Sequence, residues 1–374
     1  MKRIQFILNN RSLYGANRSA LSVIEDFISK GHEVKVLVPF WGSMADELKR
    51  KNIPYEIIPF YSAFLYIRPI LKYLIVPFLL VFDIVIFPYL LFRVNKFNPD
   101  IIYSNTSAEN IGIFLAKILG IKHIWHIREF MSLDHNSYFI LGNKIKSKLI
   151  NLSDRSIYVS KSVYEYVNLG GKSIKHKVIY NGIESSEASL SNLNFNNSEP
   201  VFGIVGILDV GKGQDMAIEY FNKLLAYYPK AKLKIFGDKK GSFKNMIVSR
   251  VAALGIGDKV QFKGFVNSHE DIYGKIDFLL MFSKSEGFGR VTIESALKGV
   301  PVIGYDNAGT SELIDHKKTG CLFKDFDSFL DCVNFIMIAD NYKLVREKSF
   351  LNANKNFNTM KYCESVYNFT LVKA

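Results

Sequence analysis

Cysteine is scarce in this chain of 374 residues: Cys321, Cys332 and Cys363 are its only three, all in the second half. They have neither the spacing of a metal site nor the density of a disulfide scaffold, which fits a reducing cytoplasm. Carboxylates clustered at metal-ligand spacing are also missing, so no metal is expected. No repeat of solenoid period occurs, which excludes a repeat array. Charged residues make up only 22% against 48% hydrophobic, and that balance excludes a disordered chain. At the N-terminus, Lys2 and Arg3 precede an apolar run too short for a signal-peptide core, so Ile4–Leu8 reads as a first buried strand. Excess negative charge is absent too: the formal charge is +13. Such a balance attracts anions, whether nucleic acid, an anionic membrane or phosphorylated substrates. No recognisable nucleic-acid module accompanies it, and nucleic acid is not expected as a partner.

What is present is alternation. Short apolar runs alternate with longer segments of helical periodicity, the pattern of βαβ units in an α/β protein. A chain of this length is expected to form two domains with a cleft available between them. Strands are expected at Ile4–Leu8, Glu33–Val38 and Ile101–Ser104, with a helix from Asn17 to Lys30 closed by Gly31. The stretch Ser185–Pro200, rich in Ser and Asn and without period, reads as a linker. Beyond it, Val201–Gly206, Leu233–Phe236, Val260–Phe262, Phe278–Met281 and Val302–Tyr305 read as strands of a second sheet. The expected partition is a first domain over 1–186, a linker over 187–199, a second domain over 200–355 and a C-terminal helix over 356–374.

The segment from Ser285 to Ile303 carries the most chemistry. It follows an expected strand, turns through Gly287 and Gly289, and then shows helical periodicity up to Gly299. Amides at that helix N-terminus can bind phosphate oxygens. Glu286 lies before the turn and Glu294 about two helical turns beyond it, so the two carboxylates can reach different ends of one elongated ligand. Taken alone, the glycines are better explained by the turn itself, and Glu294 can be a solvated helix residue.

The whole stretch, however, resembles the glutamate, seven-residue, glutamate signature of the GT-B glycosyltransferases, in particular family 4. Val205-Gly206-Ile207-Leu208 with Lys212-Gly213-Gln214-Asp215 is similar to the first turn of that family's C-terminal domain. Further similarity runs through Lys234–Asp238, Val260–Gly264 and Gly309–Ile314. It is looser in the first half, at Tyr14–Ser19, Gly31–Val34, Pro99–Ser104 and Val178–Gly182. The resemblance implies a GT-B architecture, two Rossmann-like domains whose parallel sheets face a central cleft, with the final helix crossing back to the first domain. It implies a glycosyltransferase that moves a sugar from a nucleotide-diphosphate sugar to a glycan or lipid-linked glycan acceptor, with retention and without metal or other cofactor.

By this resemblance Glu294 holds the donor ribose, Glu286 meets the transferred sugar, and the amides of Phe288, Gly289, Arg290 and Val291 meet the diphosphate. Gly206 and Lys212 line the donor phosphate, where Lys212 neutralises the charge growing on the leaving group. Where the family commonly has an arginine, this chain has Ile207, a departure that puts tight donor binding in question; Arg290 or Arg18 stands as a substitute. Gly15 resembles a glycine approaching the donor phosphate and is equally well read as a plain turn glycine. His126 matches a histidine beside the transferred sugar, and Arg128 and Glu129 are expected to line the acceptor pocket, all in a polar cluster placed after a strand. The other histidines, His269 among them, read as structural. Alternatives are a GT-B sugar-nucleotide epimerase, an inactive scaffold and a basic nucleic-acid binder.

One apolar run remains. Leu74–Phe92, flanked by Arg68, Lys72, Arg93 and Lys96, approaches the ~20 residues of a membrane span. Asp83, Pro77, Pro88 and its place between strands of one sheet argue against spanning. A pair of packed helices accounts for part of it. The expectation is a peripheral contact with the anionic cytoplasmic face of the plasma membrane.

Overall fold

Ile4, Phe6, Ile7 and Leu8 have no exposed surface, so the first apolar run is covered on both faces, as a central parallel strand must be. In the computed structural model this run is β1 (Arg3–Leu8), an interior strand of the larger of two parallel sheets. The structure describes all residues except 14, 62–63, 66–68, 131–137, 140–141, 168–174, 185–194, 196–197, 240 and 372–374, and only the backbone of 64–65, 69–74 and 138. The chain divides into two units, Met1–Gly182 with Thr359–Ala374, and Ile183–Asn358. Of the expected linker 187–199, only 195, 198 and 199 are among the described residues.

In the first unit β2 (Glu33–Val38), β3 (Tyr55–Ile57), β4 (Phe64–Leu65), β5 (Ile101–Asn105), β6 (Lys122–Ile127), β7 (Tyr138–Phe139), β8 (Arg155–Tyr158) and β9 (His176–Val178) follow. Seven strands form one parallel sheet in the order β3-β2-β1-β5-β6-β8-β9, while β4 and β7 pair separately and antiparallel. Helix α1 (Gly15–Ser29) covers one face of the sheet, its Ala20, Val23, Ile24 and Phe27 packed on Ile4, Phe6, Val34 and Val36. The terminal helix (Thr359–Leu371) adds Tyr362, Cys363 and Val366 to the same cluster. Helices α2 (Ser43–Arg50), α3 (Pro69–Phe97), α4 (Ile111–Leu119), α5 (Asn143–Asn151) and α6 (Lys161–Val167) complete this unit. Leu90 and Val94 of α3 and Ile111, Leu115 and Ala116 of α4 pack against Ile7, Leu37 and Ile102 on the other face.

The second unit holds β10 (Val201–Val205), β11 (Lys232–Phe236), β12 (Val260–Gly264), β13 (Phe278–Met281), β14 (Val302–Tyr305) and β15 (Cys321–Phe323), parallel in the order β12-β11-β10-β13-β14-β15. Around them lie α7 (Gln214–Leu224), α8 (Ser242–Ala253), α9 (His269–Tyr273), α10 (Arg290–Leu297), α11 (Ala308–Leu313), α12 (Phe326–Ile336) and α13 (Ala339–Asn356). Phe202, Ile204, Leu233, Phe278 and Leu280 pack under α7, α8 and α12, and Leu279, Met281 and Val302 pack with Ile272 and Tyr273 of α9 on the opposite face. In both sheets the order reverses at one place, between β1 and β5 and between β10 and β13. Ligands of open α/β sheets bind at such points, outside the carboxyl ends of the strands.

Two expectations need correction. The residues from His123 to Ile127 do not follow a strand; they form β6, buried on both faces, where neighbours satisfy the polar side chains. The apolar run is one helix, α3, and not a pair. Pro77 and Pro88 both lie on its exposed side, where a proline ring meets no neighbouring element of the core. The residues Ile75–Phe97 are long and apolar enough to cross a membrane.

Candidate active site

At the reversal point of the second sheet the chain leaves β10 through Gly206, whose φ of 148° favours glycine and whose N–H donates to the Phe236 carbonyl. The loop is then tied at each step. Gln214 Nε2 donates to the Ile207 carbonyl at 2.8 Å, and the Asp209 carboxylate accepts the Gly211 N–H at 3.2 Å. Gly213, at φ 68°, starts α7 so close to β13 that a Cβ would lie 2.2 Å from the Phe282 carbonyl oxygen. Lys212 is thereby carried in a short turn (Val210–Lys212) held on both sides. Its Nζ lies 2.7 Å from Glu286 Oε2, in the loop after β13. The structure thus brings together two residues 74 positions apart.

The same loop runs into α10, whose N-cap is Gly289 at φ 92° with no side chain capping the helix. Phe288 buries its ring 6.1 Å from Phe357. Helix-dipole and backbone donors at such an end favour an anion. Because the helix begins only at Arg290, Glu294 stands one turn into it, closer to the end than the two turns expected. Its carboxylate is buried to 9% exposure, with Arg290 at 3.5 Å from Oε1, and Tyr273 Oη donating to Oε2 at 3.2 Å. His269 Nε2 lies 3.9 Å from the same oxygen. Burial, with Glu294 beside it, raises the Tyr273 phenol well above its ordinary value, so it stays a donor.

At the first sheet's reversal point, α1 begins at Gly15, φ 43°, with open space where its Cβ would be. Arg18 is exposed on that helix. Next to them Asn105 ends β5, and its Nδ2 donates to the Ala16 carbonyl at 3.4 Å. Asn105 Oδ1 in turn accepts from Arg128 Nε at 2.6 Å. Arg128 is buried and its guanidinium fully engaged, reaching Asn181 at 2.6 Å, Tyr362 Oη at 2.9 Å and His126 Nδ1 at 3.2 Å. His126 has no exposed surface; its Nδ1 also meets Tyr103 Oη at 2.7 Å, whereas Nε2 has no hydrogen-bond partner among the described residues. Burial, with Arg128 beside it, holds the imidazole neutral far below its usual range. The Glu129 carboxylate accepts from both the N–H and the hydroxyl of Ser107 at 2.6 Å.

Two family models match in tandem: Glycosyltransferase Family 4 over residues 14–187 and Glycosyl transferases group 1 over 185–343. The chain is a GT-B glycosyltransferase resembling family 4. Among curated relatives it is 33% identical over 179 residues to the uncharacterized glycosyltransferase MJ1607 of Methanocaldococcus jannaschii, 44% of this chain and 45% of that one. The matched part is therefore less than half of that relative's length. It is 25% identical over 266 residues to the O-antigen biosynthesis glycosyltransferase WclY of Escherichia coli, 67% of this chain and 72% of that protein. The solved structure of Anabaena Alr3699/HepE in complex with UDP and glucose shares the fold, with a TM-score of 0.79, 20% identity and 99% of both chains covered.

In this GT-B glycosyltransferase the sequence reading missed several residues around the candidate site. Tyr273 and His269, one turn apart on α9, both approach Glu294. Their spacing was visible, but nothing in it pointed across to α10. Asn105, Asn181 and Tyr362, which hold Arg128, come from three distant segments; Asn181 lies in the Val178–Gly182 similarity, but nothing local tied any of the three to Arg128. Ile207, at the family's arginine position, is 46% exposed.

Proposed function

We propose that the chain transfers a sugar from a nucleotide-diphosphate donor to a glycan or lipid-linked glycan in surface polysaccharide synthesis, with retention and without a metal ion. The observation that carries this reading is the meeting of Lys212 and Glu286 beside the uncapped N-terminus of α10, at the reversal point of the second sheet. It is supported by HepE, whose structure holds UDP and glucose, and by WclY, an O-antigen biosynthesis enzyme.

In this reading the α10 amides and Lys212 take the diphosphate, with Gly206 letting the backbone approach it. Glu294, already oriented by Tyr273, accepts from the ribose hydroxyls, and Glu286 accepts from those of the sugar. The bond between the anomeric carbon and the phosphate oxygen breaks as the acceptor oxygen bonds to that carbon. The acceptor proton passes to the leaving phosphate. Charge growing on the diphosphate meets Lys212 and the helix end, which supply electrostatically what a divalent ion supplies elsewhere. On the first unit Arg128 and Glu129 act as positioning residues, Arg128 holding Asn105, Asn181 and His126 and Glu129 holding Ser107. The reading assigns the enzyme to the cytoplasm, which its three free cysteines support.

The test is product stereochemistry by proton NMR in EDTA-containing buffer. An α-linked product from an α-linked donor, formed at an undiminished rate, is expected. An inverted product, or loss of rate restored by a divalent ion, overturns the reading.

A further inference from the structure

Helix α3 has two faces by burial but only one by chemistry. Leu90 and Val94 are core residues of the first unit, and Ile86, Phe87 and Leu91 pack against them. Asp83 is on this protein-facing side, its Oδ1 accepting the Tyr61 N–H at 3.0 Å. The opposite side is just as apolar. Phe78, Val81, Phe82, Val85, Tyr89 and Phe92 recur at helical spacing along it, with Phe78 77% and Val85 72% exposed. A surface helix of a water-soluble unit ordinarily turns polar residues outward; one that is apolar all round belongs in a core or against lipid.

The patch continues off the helix. Phe82 lies 5.1 Å from Tyr61, and Tyr61 lies 6.2 Å from Phe40, next to Trp41, which is 54% exposed in the loop after β2. On the neighbouring helix α4, Phe114 and Ile118 are exposed beside Lys117. Charge follows the same division. Residues 1–182 and 359–374 hold 26 Lys and Arg against 14 Asp and Glu, so that this unit carries +12 of the chain's +13.

We propose that this face of the first unit is seated in one leaflet of an anionic lipid bilayer, with α3 lying along the surface. The exposed stripe from Phe78 to Phe92 runs parallel to the helix axis for about 21 Å, which suits a helix in the plane of the interface. Spanning is incompatible with the packing, because it would draw Leu90 and Val94 out of the core. Trp41 and Tyr89, aromatic with a polar edge, sit at the level of the headgroups. The basic excess is matched by acidic lipid headgroups. The seat does not depend on the transfer reaction, so its failure would leave that reading standing.

The experiment is flotation of the full chain with phosphatidylcholine vesicles and with phosphatidylcholine–phosphatidylglycerol vesicles. The wild type is expected to float with the second kind, at least about tenfold more than with the first at low salt. Phe78→Gln with Val85→Gln is expected to lose most of that binding while melting and donor turnover stay unchanged, since both side chains point away from the core. The chain has two tryptophans, and Trp125 is fully buried. Quenching by lipids brominated in the acyl chain should therefore report Trp41 alone. Three outcomes overturn the proposal: a wild type that floats with neither vesicle, equal flotation of the double variant, or resistance to carbonate extraction, which would mean a span. A wild-type dimer that the double variant dissociates, without vesicle binding, would assign the face to a second copy of the chain.

Discussion

Glu294 shows how one side chain is prepared before a ligand arrives: Tyr273 donates to one oxygen and Arg290 approaches the other. The sequence told of Glu294 through its spacing from Glu286, but not of Tyr273, because that contact spans 21 positions and two elements. His126 and Arg128 were legible as a polar cluster, yet not as groups engaged inside the unit, because polar residues within a strand give no local sign of their burial. His123 makes the point measurable. It is fully buried between Ser104 at 2.8 Å and Ser153 at 2.9 Å, and burial lowers its imidazole from 6.5 to about 3. The unfolded chain therefore binds the proton first. The stability this neutral histidine contributes is complete above pH 6.5 and is lost as pH falls towards 3, by about 1.4 kcal/mol per pH unit. Denaturant midpoints at pH 7 and pH 5 should show a smaller acid loss in His123→Gln than in the wild type. Equal losses would contradict the assignment.

At the scale of elements, all eight strands read from the sequence exist; most are interior parallel strands, which leave apolar runs between turn residues, while β12 is an edge strand. β3, β4, β6, β7, β8, β9 and β15 were not read. Several are only three or four residues long, and β6 carries two histidines and a tryptophan that break the apolar signal. The two prolines do not break α3, since a ring that breaks a buried helix is tolerated on an outward face. The loops that carry the candidate donor site are fixed by close backbone approach. A Cβ on Gly237, at φ 128°, would stand 1.9 Å from the Gly206 carbonyl oxygen, so the turn after β10 must shift to admit it. Gly237→Ala is expected to lower the melting temperature by about 3–10 °C and to weaken nucleotide binding, which calorimetry would show. A variant with wild-type affinity and melting would mean that the turn is more pliant than its packing implies.

For the whole molecule, the α/β class, the doubling of the sheet and the family were legible in the sequence, because glycine turns and strand-to-helix junctions are local features. The return of the chain at Thr359 to the unit that holds its first 182 residues was an expectation of the resemblance alone, because no residue pattern within that helix names the surface it packs on. The central claim is that the second unit's reversal point binds and activates a nucleotide-diphosphate sugar. Release of nucleotide diphosphate from UDP-, GDP- and dTDP-sugars, compared among the wild type, Lys212→Ala and Glu294→Ala, tests it most directly. The account predicts release from at least one donor by the wild type and a loss of about 100-fold or more in each variant at unchanged melting temperature. Release that survives in both variants, or none from any donor by the wild type, would contradict it.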